Sequence, residues 1–247
     1  MFPLYDDNPT TRRPYVTIGL IVACTLVYLW QISLDPRSAQ AAVYSLGFIP
    51  AVIFGQAQLP DQLAVVPAGA TILTSMFLHG SLMHLVGNLL YLWIFGNNIE
   101  DACGHVRFLV FYILCGTIAA FAQALPDPTS EIPMIGASGA ISGVLGAYLV
   151  LFPHARVHVL IPFGFLFIHP LKAGWVLAFW FVFQLISGIM ADPAEGGVAF
   201  WAHAGGFVAG MALIWVFRDR SFIARARSRG RSRIPQSYGR RRSGPWG

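Results

Sequence analysis

Residues 136–152 read Gly136-Ala137-Ser138-Gly139-Ala140-Ile141-Ser142-Gly143-Val144-Leu145-Gly146-Ala147-Tyr148-Leu149-Val150-Leu151-Phe152, a run without a single charge. Gly139, Ser142, Gly143, Gly146 and Ala147 fall three or four positions apart, so a helix here presents one face of very small side chains. Such a face lets two helix backbones approach closely, which is how helices associate in lipid, where apolar burial between them contributes little. A second face of the same kind occurs at Ala202, Gly206, Ala209 and Gly210, with Gly206 and Gly210 at small-xxx-small spacing. Gly139 and Gly143 are expected to pack against Gly206 and Gly210.

The surrounding chain supports a lipid environment. Of its 247 residues 56% are apolar and 11% charged, against about 25% charged in an ordinary soluble domain. Six apolar runs stand out: 16–32, 72–95, 106–122, 137–152, 171–190 and 200–217. Most approach the roughly 20 residues that cross a hydrocarbon core of about 30 Å. The runs lack barrel-type alternation, and lipid offers backbone groups no partner, so they are expected to be helices. The predicted fold is an all-α polytopic membrane protein, a bundle of six transmembrane helices. Residues 1–15 form an N-terminal segment, 16–217 the membrane domain and 218–247 an arginine-rich tail. The tail is expected to be disordered and to touch anionic lipid.

Six crossings put both termini on one side. That side receives Arg12, Arg13, Arg107, Arg156, Lys172 and ten arginines between Arg218 and Arg242, leaving Arg37 opposite. The bias of positive residues predicts that both termini are cytoplasmic, in a multi-pass protein of the cell membrane. The formal charge of +5 is therefore a tail property, and no nucleic-acid partner is expected. The prolines and charges before residue 16 differ from a signal-peptide n-region, so the first run is read as a retained span. Residues 33–71 are expected to lie partly in the outer interface. Cys24, Cys103 and Cys115 lack metal-ligand spacing and are read as buried small hydrophobes.

Polar groups within a span are expensive and call for a reason. His84 and Asn88 in the second run are spaced i and i+4, on one helix face. Ser138 opens the fourth, and His203 lies about one turn into the sixth. Even-numbered spans all enter from the outer side, which places Ser138 and His203 at similar depth, with His84 and Asn88 fitting this more loosely. A serine hydroxyl becomes a nucleophile when a base takes its proton across about 2.6–3.2 Å. Helix-start N–H groups, together with His84 and Asn88, could supply donors to a developing oxyanion. The eleven acidic residues all fall outside span interiors, the nearest being Glu100 and Asp101 just after the second run. Acyl transfer would therefore run on a Ser–His dyad without a carboxylate. Aspartic chemistry and a His-Glu-x-x-His zinc site are excluded on the same residues.

Several motifs occur together: His84-x-x-x-Asn88 within HGSLMHLVGN, Gly96-x-x-x-Glu100-x-x-x-Gly104, Gly136-Ala137-Ser138-Gly139, and Ala202-His203-x-x-Gly206-x-x-x-Gly210. In this order the chain resembles the rhomboid intramembrane serine proteases of six-span bacterial type, over roughly residues 15–217. The resemblance implies a six-transmembrane-helix rhomboid-like bundle with Ser138 as nucleophile and His203 as base and then acid. His84, Asn88 and the Ser138 N–H would stabilise the oxyanion. It implies single-span membrane proteins as substrates and no cofactor. Two departures are visible: no Trp-Arg pair lies between Ser33 and Thr71, and Ser142 stands where many bacterial members place a tyrosine against the catalytic histidine. The alternative within the same fold is an inactive relative that binds membrane clients; such relatives typically lack the serine or the histidine, and this chain has both. His79 stands open between structural bonding and a role at the outer rim, and Glu100 is read as a structural anchor. A transporter would favour inverted repeats or intramembrane charges, which the spans lack.

Overall fold

The computed structural model of the protein describes residues 2–163, 165–191 and 197–219. Its longer helices are α1 (Tyr15–Ser33), α2 (Pro36–Leu46), α3 (Leu82–Cys103), α4 (His105–Ala124), α5 (Ser138–Leu151), α6 (Ala173–Met190) and α7 (Phe200–Phe217). By length and composition α1, α4, α6 and α7 can cross a membrane, and α3 makes a fifth span when joined to the segment Ala68–Phe77. That pair is bent by 83°. The second span is therefore not one rod from residue 72. Ser81 ends the bend and caps α3, its hydroxyl accepting from the His84 N–H at 3.1 Å. His84 consequently sits in the first turn of α3, at the level of the other polar residues, and α3 continues to Cys103.

The remaining apolar helix, α5, has 14 residues and is about 21 Å long at 1.5 Å per residue. It is shorter than a bilayer core because it lies inside the bundle: every residue from Gly139 to Tyr148 is buried. Its irregular approach, 133–137, is half-buried against the bundle and lines an open cavity, a setting in which non-helical backbone is tolerated at membrane depth. The two small faces meet as expected. A Cβ on Gly206 would strike the Gly139 carbonyl, one on Gly210 the Gly143 carbonyl, and one on Gly146 the Phe207 carbonyl. Gly143 also receives Cys115 of α4, and all three cysteines are free and buried.

The end of the bundle that carries the N-terminus contains a sheet that an all-α reading omits. Strands β1 (Phe2–Asp6), β2 (Arg156–Phe163) and β3 (Phe165–Lys172) form an antiparallel sheet in that order. Its cause is legible in Arg156-Val157-His158-Val159, a period-two alternation. Val157 and Val159 are fully buried, whereas the His158 ring stacks on Tyr5 at 4.2 Å and bonds Asp7 at 3.0 Å.

At the same end Glu100 and Asp101 lie within the last turn of α3, both buried, rather than after it. Pro14 gives α1 no side-chain cap, and Glu100 supplies one from a distance. Its carboxylate accepts from the backbone N–H groups of Val16 and Thr17 at 2.9 and 2.8 Å and from the Thr17 hydroxyl at 2.7 Å. His105 bonds the same carboxylate at 2.6 Å and is anchored by it. Asp101 holds the backbone of Thr11 and Arg12 at 2.6 and 3.0 Å. Gly104, at φ +83, lets α4 begin one residue after α3 stops. At the other end, α2 starts on an Asp35 cap, and Phe48 pairs its backbone with Met134 at 3.0 and 2.8 Å, tying residues 34–81 to the approach to α5. The arginine-rich tail from residue 220 onward lies outside the described residues.

Candidate active site

Ser138 is the first residue of α5. Helical bonding begins with the Ile141 N–H to the Ala137 carbonyl at 3.0 Å, so the N–H groups of Ser138, Gly139 and Ala140 have no partner within the helix and point to its positive end. His203 lies in the first turn of α7, whose start is braced by Gln123 of α4 accepting from the Ala202 N–H at 3.1 Å. With only glycine and alanine between the two backbones, the imidazole reaches the hydroxyl: Ser138 Oγ and His203 Nε2 are 2.8 Å apart. Ser142, one turn on, donates its hydroxyl to the Ser138 carbonyl at 2.7 Å.

His84 and Asn88 converge on the turn that precedes Ser138. Gly136 adopts φ +121, a region open chiefly to glycine. A Cβ there would also meet the His84 ring at 2.7 Å and lie 3.8 Å from Asn88 Nδ2. Gly136 is thus required both for the turn and for the approach of His84. Asn88 is buried, and its Nδ2 has no hydrogen-bond partner among the described residues. A buried amide donor without a partner carries a desolvation cost, which a substrate oxygen would relieve. His79 is buried and bonds the Phe77 carbonyl at 3.1 Å, and its ring meets His84 edge-on at 5.1 Å. It braces His84 rather than the rim.

Ser138, His203, His84 and Asn88 line one cavity of about 750 Å³, open to the exterior, whose wall also includes Met83, Leu145, Trp180 and Phe183. It lies at the end of the bundle opposite the sheet. Also on its wall is Gln184 of α6, which bonds His203 Nδ1 at 2.8 Å and which motif reading does not single out. Its signal was available as a lone amide in an otherwise apolar span.

Fold and site together define a polytopic membrane protein with a serine–histidine pair set between its helices at the foot of an open cavity. The chain belongs to the rhomboid family: residues 68–220 match the Rhomboid domain. It is 29% identical over 218 residues to Rhomboid protein 1, mitochondrial, of Saccharomyces cerevisiae, covering 80% of this chain and 58% of the relative. To the human presenilin-associated rhomboid-like protein, mitochondrial, it is 29% identical over 162 residues, 60% of this chain and 39% of that one. To RHOMBOID-like protein 5 of Arabidopsis thaliana it is 33% identical over 78 residues, 32% of this chain and 25% of that one. The chain thus spans well under two thirds of these relatives. Family membership makes the helical bundle a module of intramembrane-protease type.

Proposed function

We propose that the protein is a serine endopeptidase that hydrolyses peptide bonds in or near the transmembrane segments of single-span membrane proteins. The observation that carries this reading is the 2.8 Å contact of Ser138 Oγ with His203 Nε2 at the foot of the cavity, within hydrogen-bond reach for proton transfer. Ser138 Oγ attacks the scissile carbonyl as its proton passes to Nε2, forming the Oγ–C bond. The oxyanion develops beside the Ser138 N–H at the positive end of α5, with the Asn88 amide and His84 as further donors. Collapse breaks the C–N bond while the imidazolium returns the proton to the leaving amine. Water, deprotonated by the same nitrogen, then attacks the acyl ester and releases Ser138 with its proton.

Two features favour a membrane substrate. The cavity opens at the level of the helix starts, where water can reach Ser138. Its wall is largely apolar, as an extended stretch of an unwound substrate helix requires. The test is cleavage of a single-span reporter by the purified full chain in liposomes. Wild type cuts, and Ser138→Ala and His203→Ala each lower kcat by at least about 10³-fold with thermal unfolding unchanged. Cutting that persists in Ser138→Ala removes the nucleophile assignment. A folded wild type that binds reporters without cutting any of them shows a client-binding module instead.

A further inference from the structure

The dyad uses Nε2 of His203 and leaves the other ring nitrogen to be accounted for. Nδ1 lies 2.8 Å from Oε1 of Gln184, 19 residues earlier on a different helix. Gln184 is 6% exposed in a helix that is otherwise almost wholly apolar. An amide in that setting is costly unless its oxygen and nitrogen find partners. We infer that Gln184 is the positioning residue of the dyad, its amide oxygen accepting the Nδ1 proton so that the imidazole presents a lone pair on Nε2 to the Ser138 hydroxyl. This rests on the protease reading and deepens it.

Three observations converge. An amide oxygen only accepts, so with Oε1 turned to the ring this bond requires the Nδ1–H tautomer, the one that leaves a lone pair on Nε2. Trp180, one turn before Gln184 on α6, lies 5.9 Å from the His203 ring at 36°, so one helix contacts both the edge and the face of the imidazole. Ser142 is engaged with the Ser138 carbonyl, so α5 supplies no ring to hold His203. A carboxylate would serve the same purpose more strongly, at the cost of a buried charge between membrane helices. The neutral amide orients the ring without that cost.

The test compares wild type, Gln184→Met and Gln184→Glu as full chains in liposomes. It reads reporter kcat and KM across pH, and the rate at which a fluorophosphonate labels Ser138. Methionine keeps the volume of the side chain and removes the acceptor: kcat and labelling rate fall on the order of 10- to 100-fold while KM stays within about twofold. Glutamate restores the acceptor: kcat recovers to within about fivefold of wild type, and the acid limb of kcat/KM moves to higher pH because the imidazolium has acquired a counter-ion. A Gln184→Met protein with wild-type kcat, labelling and pH profile overturns the inference. So does a Gln184→Glu protein as slow as Gln184→Met with an unmoved profile, since that pattern marks a purely structural amide. Wild type that neither cuts nor labels overturns the protease reading along with it, whereas an active wild type beside a Gln184→Met protein of unchanged kcat, labelling and pH profile overturns the positioning role alone.

Discussion

Asn88 illustrates how a single side chain can be costly to the resting fold and useful to a reaction. Its Nδ2 is buried without a partner among the described residues, beside the turn that aims Ser138. In the proposed mechanism the donor becomes paired when an oxyanion forms next to the Ser138 N–H, so its contribution belongs to the transition state. Asn88→Ala is expected to lower kcat roughly 10²-fold, the scale of a lost oxyanion donor, with KM within about twofold. A comparable rise in KM instead, with kcat intact, would make Asn88 a binding residue; no change in either would make it interhelical glue. At this scale the candidates are legible as residue types and spacings, and the structure places them on one cavity wall. Ser138 and His203 follow from chemistry that needs a hydroxyl, a base and small neighbours, and His84 and Asn88 from their i, i+4 spacing. Gln184 escaped because its partner lies on another helix, and no local spacing announces a contact that only tertiary packing creates.

Helices α5 and α7 meet backbone to backbone, and that contact is what brings Ser138 to His203. Gly210 lies two turns beyond His203, and any Cβ there strikes the Gly143 carbonyl. Because the obstacle is backbone rather than a side-chain end, relief requires the helices to separate. Overpacking of this kind costs typically about 1–3 kcal/mol. Gly210→Ala is therefore expected to lower the thermal midpoint in detergent and to lengthen the Ser138–His203 contact, reducing fluorophosphonate labelling of the fraction that remains folded. Gly19→Ala, on the exposed side of α1 where a Cβ meets nothing within 4 Å, is the control that does not lower the midpoint. If Gly210→Ala matches that control, the close approach is not what holds the dyad. The small-residue period disclosed this interface directly. The second span was misread for an equally physical reason: residues 72–81 are as apolar as the helix they precede, and hydropathy does not register an 83° bend. The sheet was overlooked because a six-span reading assigns residues 153–170 to a connection, although Val157 and Val159 alternate with polar neighbours as a strand requires.

The molecule has two dissimilar ends, and their chemistry orients it. One end holds the sheet, the buried Glu100 and Asp101 anchors and the described cations Arg12, Arg107, Arg156 and Lys172. The other holds the cavity, with Ser138, His203, His84 and Asn88 at the starts of their helices and Gln184 in the far half of α6. Positive residues near span ends are retained on the cytoplasmic side, so we propose that the sheet end faces the cytoplasm of a cell membrane and the cavity faces outward. Two relatives carry mitochondrial names, and the same charge argument there would set the sheet end against the compartment from which insertion proceeds. Single cysteines distinguish the two faces, since Cys24, Cys103 and Cys115 are all buried. Arg37 and His154 are exposed at opposite ends. In intact cells a membrane-impermeant maleimide is expected to label Arg37→Cys at once and His154→Cys only after permeabilisation. The reverse order would invert the protein, put the cavity on the cytoplasmic side and assign its cleavage products there. Labelling of both without permeabilisation would mean that the two ends share a compartment, and the reading of α1, α3, α4, α6 and α7 as membrane-crossing helices would fall with it.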